Sequence, residues 1–194
     1  MPLGTADCTA IILAGGESSR MGRDKALLRL GSRTLIERAR DALAPHFGEV
    51  IVSAAREGDY ASLGLRVVAD RSPGEGPLMG IASALEAASF GTAFVAAVDV
   101  PEMDMALVRR LLAASEGFDG AVPVAADGRP EPTFAVYRRC VLPAAREALA
   151  QGERRVSELI RRCRIRLVAL GPGEGPGNVN TPADYEALRG SRDA

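Results

Sequence analysis

Thr9-Ala10-Ile11-Ile12-Leu13 is a largely apolar run that reads as a buried strand, and it opens directly into Ala14-Gly15-Gly16-Glu17-Ser18-Ser19-Arg20-Met21-Gly22-Arg23-Asp24-Lys25. A buried strand feeding a glycine-rich basic loop is the entry to an α/β fold with an anion site at its strand end. Gly15, Gly16 and Gly22 allow close backbone approach and turns at positive φ, while loop N–H groups, Arg20 and Lys25 supply donors and positive charge. The expected ligand is a nucleoside triphosphate. The spacing is not that of a P-loop, because Gly22 is followed by Arg23-Asp24-Lys25. It is not a dinucleotide fingerprint either, because Gly15-Gly16 is followed by Glu17.

Outward from this segment, strands and helices alternate. Arg33 to Ala44 has helical spacing, and Glu49 to Ala54 and Leu65 to Asp70 read as strands. Pro77 to Ala88 reads as a helix with proline in its first turn, Thr92 to Val98 as a strand covered on both faces, and Asp104 to Ser115 as a helix capped by Asp104. Strands at Gly120 to Val124 and Thr133 to Tyr137 flank the Gly- and Pro-containing loop Ala126 to Pro132, as in a long-looped hairpin. Helices at Arg139 to Ala150 and Arg154 to Cys163, a strand at Arg164 to Leu170, the loop Gly171 to Gly177 and a short helix near Pro182 to Leu188 complete the chain. The pattern predicts a single α/β domain over 1–194: a three-layer, Rossmann-like, doubly wound and mostly parallel sheet with right-handed crossovers.

A chain of 194 residues buries enough surface to fold without staples. With 24 basic and 25 acidic residues, a net charge of −1 and no block of like charge, there is no footprint for nucleic acid or an anionic membrane. No apolar run approaches membrane-spanning length and residues 1–8 carry no basic leader, so a cytoplasmic protein is expected. Cys8, Cys140 and Cys163 lack Cys-x-x-Cys spacing and read as small apolar residues rather than zinc or disulfide partners. His46, the single histidine, follows Pro45 at a helix end and reads as a surface residue.

In a doubly wound sheet, ligands sit at the carboxyl ends of the strands. The loop after Leu13, Asp70 after Ala69 and Asp99 after Val98 would therefore converge on one crevice. Asp99 ends a fully apolar strand, where a carboxylate is costly unless it is solvated or holds a cation, and Mg²⁺ ligation is favoured over a turn or capping role. Asp70 is read as a nucleotide contact from the opposite wall, or as a turn residue. Gly76-Pro77-Leu78-Met79-Gly80 starts a helix whose free N–H groups suit an anion, and Gly80 in its first turn signals close approach by a ligand or by packed structure. Asn178 and Asn180, just before Thr181-Pro182, suit a polar heterocycle such as a pterin, or a capping role. Gly152-Glu153-Arg154-Arg155 reads as a phosphate contact or a solvated face.

Together these pieces resemble the molybdenum cofactor guanylyltransferases. The matching segments are Leu13-Ala14-Gly15-Gly16, Arg20-Met21-Gly22, Asp24-Lys25, Gly76-Pro77-Leu78 with Gly80, Asp99-x-Pro101, Pro132-Thr133, Gly152 to Val156 and Asn178-Val179-Asn180-Thr181-Pro182. The front segment is shared with cytidylyl and sugar-phosphate nucleotidylyltransferases, and the guanylyl resemblance rests on the later ones. The resemblance implies a nucleotide-diphospho-sugar transferase type of fold and transfer of GMP from GTP to molybdopterin with Mg²⁺. Its site residues would be Leu13, Ala14, Gly15, Gly16, Gly22, Lys25, Ser53, Asp70 and Asp99 at GTP, with Asp99 also on the metal. Arg20 would join Lys25 and Asp99 in catalysis, while Gly80, Asn178 and Asn180 would serve molybdopterin. The N-terminal half would thus hold the GTP and Mg²⁺ site and the C-terminal half the molybdopterin site. The implied protein partners are molybdenum cofactor biosynthesis proteins or apo-molybdoenzymes. Ser53 departs from the asparagine of some relatives, and Ala97-Val98 from a cysteine beside the aspartate.

The nucleophile in such a transfer is a terminal phosphate monoester, largely dianionic at neutral pH, so no general base is needed. A chain with one histidine in an unpromising place suits that chemistry. The rival readings are a cytidylyl or sugar-phosphate nucleotidylyltransferase and a nucleotide-binding module without catalysis.

Overall fold

The computed structural model describes residues 4–15, 24–179 and 183–186. Its frame is a seven-stranded sheet built from β1 (Thr9–Leu13), β4 (Glu49–Ala54), β5 (Arg66–Ala69), β6 (Thr92–Ala97), β7 (Gly120–Val124), β8 (Phe134–Arg138) and β9 (Ile165–Ala169), in the order β5-β4-β1-β6-β8-β7-β9. Every neighbouring pair is parallel except those made by β8, which runs antiparallel to both β6 and β7. The expected hairpin is therefore present, with β8 folded back between β7 and the parallel half.

β1 is buried along its whole length because it lies between β4 and β6 and is covered on both faces. Side chains alternate across a strand. Ala10 and Ile12 accordingly enter one core with α1 (Leu35–Leu43) and α3 (Met105–Ala114), where Phe94 stacks on Phe47 and meets Phe134 edge-on. Ile11 and Leu13 enter the other with α2 (Pro77–Ala87), α4 (Leu142–Ala150) and α5 (Ser157–Arg162). These two cores make the helix–sheet–helix sandwich.

Local chemistry starts the helices where the cores need them. Thr34 and Glu37 form a capping box at α1, Asp104 accepts from the Ala106 and Leu107 amides at α3, and Pro77 occupies the first turn of α2 after Gly76 at φ 78°. Three boundaries differ from the sequence reading. Arg33-Thr34 is not helix but β3 (Arg33–Thr34), paired antiparallel with β2 (Arg29–Leu30) through a turn in which Gly31 takes φ +68°. The helix expected from Arg154 likewise begins only at Ser157, and residues 139–141 form a 3-10 turn ahead of α4. Cys8 is buried as expected, but Cys140 is exposed and directs its thiol at Asp119. No helix among the described residues is long and apolar enough to cross a membrane.

Register positions the site. Leu13 pairs with Ser53 on one side and Ala97 on the other, and Ala54 pairs with Ala69, so β5, β4, β1 and β6 end along one edge.

Candidate active site

Hydrogen bonds carry the ladder just beyond those strand ends. The Val98 amide donates to Leu13, the Asp70 amide to Ala54, and the Ala14 and Gly15 amides both donate to the Ser53 carbonyl at 2.9 and 3.1 Å. Because these two amides are engaged, Ala14 and Gly15 can serve a nucleotide by close backbone approach but not as free N–H donors.

On the β4–β5 side of β1, Ser53 is 1% exposed and its hydroxyl donates to Asp70 Oδ1 at 3.0 Å. The half-buried Asp70 carboxyl sits above the usual carboxylate range because burial outweighs that hydrogen bond. Both nearby glycines leave room for this pair, Gly80 most tightly. A Cβ on Gly80 would stand 2.6 Å from Ser53 Oγ and 3.4 Å from Asp70 Oδ1, and one on Gly15 would stand 3.2 Å from Asp70 Oδ2. Packed structure therefore accounts for the close approach at Gly80.

On the β6 side, Val100 N–H donates to the Ala97 carbonyl and closes a tight turn that presents Asp99. Lys25 Nζ lies 3.3 Å from Asp99 Oδ2 and donates to the Val179 carbonyl at 3.2 Å, while the Val179 amide donates to the Asp99 carbonyl at 2.9 Å. Residues distant in sequence are thus tied into one knot, with the Lys25 and Asp99 side chains 21% and 19% exposed. The adjacent Asn178 amide donates to the Glu131 carboxylate. Burial pushes Glu131 upward, and the charges of Asp127 and Asp99 add to that against Asn178 and Arg129.

The base of Lys25 is held separately. Asp24 caps the 3-10 turn Lys25–Leu27 through Oδ1, which accepts from the Ala26 amide at 2.9 Å, and its Oδ2 accepts from the Tyr60 hydroxyl at 2.6 Å. Tyr60 has φ 58°, the one non-glycine positive φ among the described residues, a conformation that costs an L-residue about 1–2 kcal/mol.

Of the expected site residues, the fold gathers Leu13, Gly15, Ser53, Asp70 and Gly80 on one side of β1, and Lys25, Asp99 and Asn178 on the other. Gly16, Arg20, Gly22 and Asn180 lie outside the described residues. Arg154 pairs with Glu75 at 2.6 Å on the surface, so its guanidinium is already engaged. Tyr60 and Glu131 carry no motif, and Val179, although inside the Asn178–Pro182 segment, acts through its backbone carbonyl rather than its side chain. The only sequence signal available for them is proximity to a strand end or to Asn178.

A family model described as "MobA-like NTP transferase domain" matches residues 10–167. The chain is 40% identical over 188 residues to a protein of Pelotomaculum thermopropionicum named "Probable molybdenum cofactor guanylyltransferase", with 93% of this chain and 91% of that one covered. It is 36% identical over 187 residues to one of the same name from Carboxydothermus hydrogenoformans, covering 93% and 94%. Among solved structures, the molybdopterin-guanine dinucleotide biosynthesis protein A of Archaeoglobus fulgidus shares the fold, with a TM-score of 0.82, 24% identity and coverage of 95% and 98%.

Proposed function

The chain belongs to the MobA-like NTP transferase family and is a nucleotidyltransferase, and from that premise we propose that it transfers GMP from GTP to molybdopterin, releasing pyrophosphate and forming molybdopterin guanine dinucleotide. The observation that carries this reading is the Lys25–Asp99 pair at the strand-end edge, tied through Val179 to Asn178. The reading is supported by a cation of the kind that suits a triphosphate and a carboxylate of the kind that suits Mg²⁺, close in the fold to an asparagine of the kind that suits a pterin.

The donor set fits magnesium. Asp99 offers a partly exposed carboxylate at the strand-end edge, and Mg²⁺ is commonly held by one or two carboxylates together with substrate phosphates and water. Asp99 is the residue to hold it. When bound, the ion supplies Lewis-acid polarisation and charge neutralisation at the triphosphate.

Lys25 in this reading meets the triphosphate and offsets charge developing toward pyrophosphate, with Arg20 assisting. Leu13, Ala14 and Gly15, with Gly16 and Gly22, let the nucleotide approach the backbone closely. Asp70 accepts a hydrogen bond from the nucleoside, and Ser53 acts by orienting Asp70, its hydroxyl already donating there. Asn178 and Asn180 serve the pterin side, whereas Gly80, expected there from the resemblance, packs on Ser53 and Asp70 on the nucleotide side. The attacking phosphate of molybdopterin is already dianionic at neutral pH, so the work left to the protein is in-line positioning and charge stabilisation. His46, at the C-terminal end of α1, has no part in this. The implied setting is the cytoplasm, with molybdenum cofactor biosynthesis proteins or apo-molybdoenzymes as protein partners.

Nucleotide choice is tested by thermal unfolding with magnesium and GTP, CTP or ATP. GTP should raise the Tm most. A larger rise with CTP would replace this reading with a cytidylyl transfer.

A further inference from the structure

The connection between β4 and β5 sends one side chain back to the nucleotide loop. Tyr60 lies midway along it in the left-handed region, immediately before a 3-10 turn, Ala61–Leu63, that ends at Gly64 with φ 66°. Glycine or asparagine is the ordinary occupant of such a position, because a side chain there crowds the following carbonyl. Here the strained conformation carries a ring that packs against the α1–α3 core and a hydroxyl that reaches Asp24 Oδ2, 36 residues away in sequence. The same hydroxyl lies 3.4 Å from the Ala14 carbonyl oxygen.

Both carboxylate oxygens of Asp24 are thereby engaged. One carboxylate oxygen holds the Ala26 amide and the other holds Tyr60, so turning the carboxylate toward its neighbour Lys25 would break both bonds. Ala26 is wholly buried, and the Leu28 amide closes onto the Lys25 carbonyl at 3.0 Å, which anchors the turn from the other end. Lys25 is therefore fixed at its base by Asp24 and at its head by Asp99 and Val179.

We infer that Tyr60 is a positioning residue for Lys25, its hydroxyl locking the Asp24 carboxylate so that the Lys25 ammonium stays aimed at Asp99 and at a triphosphate. The role at the triphosphate rests on the proposed transfer reaction, whereas the lock itself does not. Burial and the bond to Asp24 both hold the phenol protonated, so the hydroxyl remains a donor across the working pH range.

The test uses the full chain with Tyr60→Phe, which keeps the ring, and Asp24→Asn, which weakens the same bond from the other side. Amide hydrogen exchange in nucleotide-free protein reads the lock directly. Exchange at Ala26, Leu27 and Leu28 should rise about tenfold or more in each variant while β1 and β6 amides are unchanged. Unchanged exchange at those amides in both variants would overturn the inference. For the link to Lys25, Tyr60→Phe is combined with Lys25→Ala and turnover of GTP is measured. Alone, Tyr60→Phe should lower kcat by about tenfold with the Tm nearly unchanged. On the Lys25→Ala background it should lower kcat no further, because the residue it positions is gone. An equal loss on both backgrounds would show that Tyr60 acts as a general anchor of the β4–β5 connection and would overturn the positioning role. Absence of turnover with any triphosphate in the unaltered protein would defeat the proposed reaction, while the exchange data would still decide the lock.

Discussion

The two sides of β1 are built in different ways. On the β4–β5 side, Ser53 and Asp70 stand at neighbouring strand ends and are closed over by Gly80, so regular structure alone holds the pair and little room is left around it. On the β6 side, Lys25, Asp99 and Val179 come from three separate loops and are joined by hydrogen bonds spanning 74 and 154 residues, with side chains still about a fifth exposed. The first region suits recognition of a fixed shape. The second suits chemistry, because its ion pair can be exchanged for other ionic partners without disturbing a core. Its Lys25–Asp99 contact is the kind in which a bound cation and a triphosphate can each take one partner.

Substitutions should separate the two. The largest effect is expected from Asp99→Ala and Lys25→Ala, which remove partly exposed charges at loop positions. Steady-state pyrophosphate release should fall by about 10²- to 10³-fold while the Tm stays close to that of the unaltered protein. Near-normal turnover in either folded variant would remove that residue from the mechanism.

Next is Gly80→Ala, which strikes the packed side. The added methyl meets Ser53 Oγ and pushes its hydroxyl off Asp70. Overpacking of about 1–3 kcal/mol is partly offset by about 1 kcal/mol of helix propensity, so urea denaturation should report a modest net loss. The KM for GTP should rise more clearly than kcat falls.

Ser53→Ala sharpens the comparison through pH. Loss of the hydroxyl removes the one interaction that lowers the Asp70 pKa, so that value moves further up. Because the folded value already lies above the unfolded one, ionised Asp70 destabilises the fold. That penalty is absent below the ordinary carboxyl range and complete above the raised folded value. The variant should therefore lose more stability at neutral than at acid pH in chemical denaturation, and the acid limb of GTP binding should shift to higher pH.

The smallest effect is expected from Glu75→Gln, which breaks the exposed pair with Arg154. Exposed ion pairs contribute little. Tm and kinetics should both stay within error, and a marked change in the GTP KM would instead place Arg154 at the phosphates.

These contrasts follow what could be read in the chain beforehand. β1 was legible because a continuous buried run is a local pattern, and the place of Asp99 just beyond β6 because a carboxylate closing an apolar strand stands out from its neighbours. Close approach at Gly80 was legible too, but its partner Ser53 was not, since that depends on how α2 lies over the strand ends. Tyr60 and Glu131 were missed for the same reason: each gains meaning only from a partner brought in by the fold, Asp24 for one and Asn178 for the other. Arg33-Thr34 reads as the start of the helix because it shares the spacing of α1, while the turn at Gly31 pairs it with Arg29-Leu30 as a strand.

The central claim is that the Lys25–Asp99 side performs guanylyl transfer to a pterin phosphate. The most direct measurement is to add molybdopterin to the full chain with GTP and magnesium and quantify pyrophosphate and molybdopterin guanine dinucleotide together. The account predicts equal amounts of both, dependent on molybdopterin. GTP binding without release of pyrophosphate would contradict it and leave a nucleotide-binding module in its place.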